Sequence, residues 1–218
     1  MNNNAFKSTI IITSLLCLSS CGISKQECLS AYNNGLSLGK NGSNGMNQTT
    51  FMKKYRSCLT SYKVKLNYAA YMHSWEAGRN EYCSPQHAKQ LGINNNTNLA
   101  ICHQPKNIWS QFTPSYKKGL QKYWTLKGKS DCLKGLDKQT KNYTDAQKLY
   151  ATKDVTFNPQ PDYQNGYQEG IPLYCTQAKG LSVGSSGIPN NNICQSYGNY
   201  NNALAFNTGY QKGLRIYC

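Results

Sequence analysis

Acidic residues are scarce in this chain. Only nine of 218 residues are Asp or Glu, against 24 Lys and Arg, for a formal charge of +15. The one close acidic pair, Glu76 and Glu81, is five residues apart. On a helix that spacing separates the side chains by about 140°, so the facing carboxylates of a glycosidase-like centre are not indicated. Histidine is rarer still. His73, His87 and His103 are the whole set, and no two stand at metal-ligand spacing. No C-x-x-C pair or Cys/His cluster occurs, which argues against zinc. A P-loop, a dinucleotide fingerprint and a haem motif are also missing, and no cofactor is expected. Nor is there the run of about 20 apolar residues that a spanning helix needs.

What is present begins at the N-terminus. Lys7 precedes an apolar stretch at residues 8–18 (STIIITSLLCL), followed by Ser19, Ser20 and Cys21. This is the layout of a signal peptide, with Cys21 placed where lipoprotein signal peptidase cuts. Residues 1–20 are read as that peptide and Cys21 as the lipidated residue, giving an anchor to a membrane. One acyl chain alone binds marginally, whereas several hold firmly. Gly22 rather than Asp after the cysteine favours the bacterial outer membrane, facing the periplasm.

Ten cysteines in an exported chain point to disulfides. Cys17 leaves with the signal peptide and Cys21 is acylated, so eight remain to pair.

An internal repeat organises them. Aromatic-x-x-Gly-x-x-x-Tyr occurs as Trp75-Gly78-Tyr82, Tyr116-Gly119-Tyr123, Tyr167-Gly170-Tyr174 and Tyr210-Gly213-Tyr217. The first and third copies run into Cys83 and Cys175, each followed by a second cysteine, Cys102 and Cys194. The second and fourth are preceded by Phe112 and Phe206. Residues 75–124 and 167–218 are therefore two copies of one unit, offset by about 93 residues. A divergent copy lies upstream, Phe51-x-x-x-Tyr55-x-x-Cys58-Leu59-x-x-Tyr62, preceded by Tyr32-x-x-Gly35-x-x-x-Gly39.

The spacing predicts amphipathic helices with an aromatic stripe and one glycine inside it. Glycine costs ~1 kcal/mol in a helix interior, so it needs a reason there. A pit for the close approach of a neighbouring helix or ring is favoured over a ligand-stacking row. Segments 84–101 and 176–193, rich in Gly, Asn and Ser, read as loops closed by their cysteines. The expected bridges are Cys83–Cys102 and Cys175–Cys194 by repetition and Cys28–Cys58 as a clamp on the first hairpin. Cys132–Cys218 is left by elimination.

The expected fold is mainly α, built of repeated disulfide-stapled helical hairpins with long Gly/Asn-rich loops. The divisions are 21–66 for the divergent hairpin, 67–124 for the first unit, 125–160 for a Lys-rich connector and 161–218 for the second unit. Residues 132–152 are read as one helix, stopped by Asn158-Pro159-Gln160-Pro161.

Tyr-x-x-Gly-x-x-x-Gly near the start, Tyr167 to Thr176 (YQEGIPLYCT), the Gly-rich segment, Cys194 and Phe-x-x-x-Tyr-x-x-Gly together resemble a family of bacterial lipoproteins, domain of unknown function 2799. The resemblance implies export, lipidation and paired cysteines, and carries over no catalytic residue. This chain departs from it in carrying the unit twice, and in Asn or Ser replacing Asp in the first hairpin.

Chemistry is thinly represented. Gly35-Leu-Ser37-Leu-Gly39 and Gly180-Leu-Ser182-Val-Gly184 match G-x-S-x-G, but an α/β-hydrolase elbow needs a strand before the serine and a triad histidine after it. All three histidines precede Ser182, and Ser37 lies in a helical repeat. The chain is therefore read as non-enzymatic. Between residues 117 and 153 stand ten lysines against three acidic residues. Lys117, Lys118, Lys122, Lys127 and Lys129 are the candidate binding set, for anionic envelope polymers or lipid headgroups. Envelope proteins are the other expected partners; nucleic acid is not expected in that compartment.

Overall fold

The computed structural model describes residues 23–138 and 140–218. The expected signal peptide at residues 1–20, with Cys17, and Cys21 lie outside the described residues. Every regular element among the described residues is helical, and twelve α-helices follow one another. They are α1 (Lys25–Leu29), α2 (Ala31–Lys40), α3 (Gln48–Lys54), α4 (Arg56–Tyr62), α5 (Tyr68–Tyr82) and α6 (Pro85–Ile93), then α7 (Lys106–Leu133), α8 (Thr140–Ala151), α9 (Gln160–Tyr174), α10 (Gln177–Ser185), α11 (Ile193–Tyr197) and α12 (Tyr200–Tyr217).

Four helix pairs make the frame: α2 with α5, α6 with the first half of α7, the second half of α7 with α9, and α10 with α12. Glycines set each pair. A methyl added at Gly78 would lie 2.9 Å from the backbone nitrogen of Lys40, and one at Gly39 would lie 2.5 Å from that of Arg79. Gly92 and Gly119 oppose each other in the second pair, where a methyl on Gly119 would stand 2.8 Å from Gly92 Cα. In the fourth pair, Gly180, Gly184, Gly209 and Gly213 meet partner backbone in the same way. The packing reading of the repeat glycines therefore holds. They are helix–helix contacts of backbone on backbone, closer than the usual 8–10 Å between helix axes allows for larger side chains.

The third pair carries a variation. Gly166 meets the backbone of Thr125, and Gly128 that of Tyr163 and Tyr167. Gly170 instead faces a side chain: a methyl there would stand 2.7 Å from Cys132 Cβ. Cys132 thus occupies the place that Gly39 fills in the first pair.

The aromatic residues close the other end of each pair. The first helix of every pair is followed by a left-handed residue, at Gly42, Asn95, Gly135 and Gly187. Such a residue turns the chain out of a helix, and Asn is among the few non-glycine types that tolerate it. The leading aromatic of each motif then ties down the chain just beyond. Trp75 Nε1 donates to Ser43 O (2.9 Å), Tyr116 to Asn96 O (2.8 Å) and Tyr167 to Leu136 O (2.8 Å), while Tyr210 accepts from Asn190 N (3.2 Å). The trailing tyrosines Tyr82, Tyr174 and Tyr217 lie against Gly42, Gly135 and Gly187.

Three disulfides staple the described chain: Cys28–Cys58 ties α1 to α4, Cys83–Cys102 ties the end of α5 to the turn before α7, and Cys175–Cys194 ties the end of α9 to α11. The expected Cys132–Cys218 bridge does not form. Cys132 is buried on α7 against Gly170, Cys218 is exposed at the end of α12, and both are free thiols. Elimination failed because one member of the set fills a packing position.

Two further expectations change. Segments 84–101 and 176–193 are not loops throughout, since each holds a helix, α6 and α10, which is the glycine partner of the helix that follows the loop. Ser84 and Thr176 cap them by accepting from His87 N and Lys179 N. Residues 132–152 are not one helix either. α7 ends at Leu133, Gly135 turns the chain with φ +72°, and α8 starts at Thr140.

One core runs through the second, third and fourth pairs, rich in Tyr and Phe, and a smaller one gathers Cys28, Ala31, Phe51, Tyr55, Cys58 and Tyr71. The divergent Phe51–Tyr62 copy belongs to the smaller core. It breaks at Tyr55 into α3 and α4, and its Cys58 is held by Cys28.

Candidate functional site

The expected lysine set lies along α7, and the structure divides it. Lys118 and Lys122 are exposed, one turn apart. No described carboxylate stands within ion-pair distance of either. Lys117 is half-buried on the same helix. Lys127 and Lys129 are committed elsewhere. Lys127 Nζ pairs with the carboxylate of Asp131, and Lys129 reaches Glu169 at 3.6 Å.

Asp131 is the one fully buried charged side chain among the described residues. Burying an isolated carboxylate is costly unless it is paired and hydrogen-bonded. Lys127 supplies the charge and Tyr163 donates its hydroxyl at 3.1 Å. The residue was not singled out from sequence; an acid four residues after a lysine on a helix is the signal that marked it.

A second polar chain crosses the core. Trp124 Nε1 donates to Tyr150 Oη at 2.9 Å, and Tyr150 donates to Asn95 Oδ1. Burial raises the Tyr150 phenol to about 12, and raises Tyr116 and Tyr167 further. These tyrosines are therefore held protonated, as donors to carbonyls and amides, which is how the frame uses them. Cys132 is pushed up to about 11 by burial, so its thiol is not poised as a nucleophile.

The G-x-S-x-G serines sit in helix interiors. Ser37 is on α2 and Ser182 on α10, both exposed, and the flanking glycines are those that meet the partner helices. The strand that a nucleophile elbow requires is replaced by helix. The histidines are dispersed: His73 is exposed on α5, His87 packs on Tyr82, and His103 lies on Trp109 with Asp154 at 3.6 Å. Glu81 pairs with Lys40 at 2.8 Å, apart from Glu76. Among the described residues no cluster of His, Cys, Asp or Glu could hold a metal ion, and no helix is long and apolar enough to cross a membrane.

Glycine-zipped, disulfide-stapled helix pairs, repeated in tandem, define the class of protein. The chain belongs to the family described as protein of unknown function (DUF2799), whose model matches twice, over residues 30–121 and 123–205. The first match covers two glycine pairs, the second covers the third pair and α10 and stops at residue 205 within α12, and the seam between them falls inside α7. No curated protein and no solved structure matches the chain.

Proposed function

We propose that this protein is an exported lipoprotein, acylated at Cys21 and held at the outer membrane on its periplasmic side, where it acts as a non-enzymatic interaction or structural module. The observation that supports export most is the set of three disulfides, with Cα separations of 5.5–5.7 Å. Such bridges form and persist in oxidising compartments. A scaffold role is supported by where the aromatic and glycine chemistry goes, since the repeated motif is spent on joining helices. In-cell crosslinking of the full-length chain, followed by mass spectrometry before and after peptidoglycan digestion, tests this reading. A defined protein partner, together with palmitate incorporation lost in Cys21→Ala, is the expected outcome. Full activity of a purified hydrolase, abolished by Ser182→Ala, would sink it.

A second reading is favoured by the unpaired Lys118 and Lys122. Through them the helix face would bind anionic envelope polymers. Binding of purified lipopolysaccharide should then weaken strongly with added salt and fall in Lys118→Gln/Lys122→Gln.

A further inference from the structure

The chain between the two helices of the first pair carries a surface that the frame does not use. Between α3, α4 and the strand of chain after it lies a cleft of about 360 Å³, lined by Phe51, Met52, Leu59, Val64 and Leu66. Its lips are apolar and open to solvent, with Met52 58% and Leu59 55% exposed. Arg56 and Lys65 line it, Lys54 lies over the ring of Tyr55 in its wall at 5.4 Å, and Lys53 and Lys63 adjoin it along the chain, all five exposed. None of the five forms an ion pair with a described carboxylate. Residues 51–66 contain no acidic residue at all. Over residues 23–75 the only acid is Glu27, which Ser24 holds in a capping box at the start of α1. Exposed apolar side chains ringed by cations are the chemistry of a surface that meets anionic lipid: the apolar groups enter the headgroup boundary and the cations meet phosphate.

The position of this surface along the chain strengthens the case. Ile23, two residues after Cys21, packs against the small core of Cys28, Ala31, Phe51, Tyr55, Cys58 and Tyr71, two of which, Phe51 and Tyr55, also line the cleft. Two residues of chain span at most about 7 Å. The Cys28–Cys58 bridge then bolts α1 to α4, with 5.7 Å between the Cα atoms. An anchor on Cys21 would therefore attach within two residues of chain from a residue that packs on this core.

We infer that the α3–α4 cleft and its five cations form a docking face for an anionic phospholipid bilayer, and that it orients the protein on the membrane carrying its anchor. The inference rests on the lipid-anchor reading given above. A single flexible tether leaves a protein free to swivel, whereas a tether beside a docked face does not. The Cys28–Cys58 bridge serves this arrangement by fixing the face to the tethered end.

The test uses the full chain with Cys218→Ser, carrying Met52→Cys or, on α12, Leu204→Cys as control. Each is labelled with an environment-sensitive fluorophore. The proteins are reconstituted into vesicles of phosphatidylethanolamine with phosphatidylglycerol, or with phosphatidylcholine instead, with and without lipids brominated near the headgroup. Quenching at position 52 but not 204, confined to phosphatidylglycerol vesicles, is expected. Lys53→Gln and Lys54→Gln should each lower the docked-to-free ratio about fivefold. Quenching at 52 no greater than at 204 would overturn the docking face. So would protection of position 52 by a crosslinked protein in cells without quenching in vesicles, which would assign the cleft to a protein partner. Palmitate incorporation at Cys21, measured on the same preparations, reports the anchor separately. If the chain is not acylated the anchor reading fails, and added vesicles still decide the docking face by the same comparison of positions 52 and 204.

Discussion

At the scale of single residues, the glycines decide the fold. Gly78 faces backbone that cannot move aside, so Gly78→Leu should destabilise the protein by on the order of 3 kcal/mol or more, read as a loss in melting temperature. Unchanged melting would remove the close-packing account. Gly170 offers a sharper test because it opposes the side chain of Cys132. Gly170→Ala alone should be costly. Combined with Cys132→Gly it should cost less than the sum of the two single changes, with a coupling of about 0.5–3 kcal/mol in a double-mutant cycle. Tyr150 is the residue whose hydroxyl serves two partners. Tyr150→Phe leaves Trp124 Nε1 and Asn95 without it in the core and should cost about 1–3 kcal/mol, seen in chemical denaturation.

At the scale of elements, the disulfides and the free thiols make a chemical signature. In the mature folded protein Cys218 should react promptly with a thiol reagent. Cys132 should react only after denaturation, and the other six described cysteines only after reduction. A Cys132–Cys218 bridge would leave no thiol reactive before reduction. Opening Cys175–Cys194 by paired Ser substitution should cost roughly 2–4 kcal/mol.

The helices that were legible in the sequence are those whose stripe is aromatic. The Trp75, Tyr116, Tyr167 and Tyr210 motifs all lie in α5, α7, α9 and α12, and their glycines make the contacts that their cost demanded. What stayed hidden was the partner. α6 and α10 have few large apolar residues, so their Gly, Asn and Ser content reads as loop. Yet Ser84-Pro85 and Thr176 are ordinary helix starts, and Gly180-x-x-x-Gly184 is a flat face rather than a turn. The lysine set was legible as charge, and the spacing of Asp131 four residues after Lys127 marked that pair, but sequence could not show that Glu169, on another helix, reaches Lys129.

At the scale of the whole molecule, the buried phenols set a pH limit. Burial raises the folded pKa of Tyr71, Tyr82, Tyr116, Tyr150, Tyr167 and Tyr174. The unfolded chain therefore releases these protons first as pH rises past about 10. Their contribution is complete below that point and is lost above it, through about 12 for Tyr150. The melting temperature should hold steady from neutral pH to about 9 and then fall steeply. A flat profile to pH 11 would show that the phenols ionise without unfolding the frame.

The seam between the two family units lies in the middle of α7, a helix of 28 residues. Both units share that one helix, so its length works like the phasing of two cams on one shaft. Adding a single residue near position 122 would turn the second unit by about 100° and advance it by about 1.5 Å relative to the first. Contacts within each unit would survive, but those across the seam, such as Tyr150 to Asn95 and His103 to Asp154, would be broken. The residue count of this one helix therefore fixes how the two units face each other, and the shared core, with its bond from Tyr150 to Asn95, locks that phase.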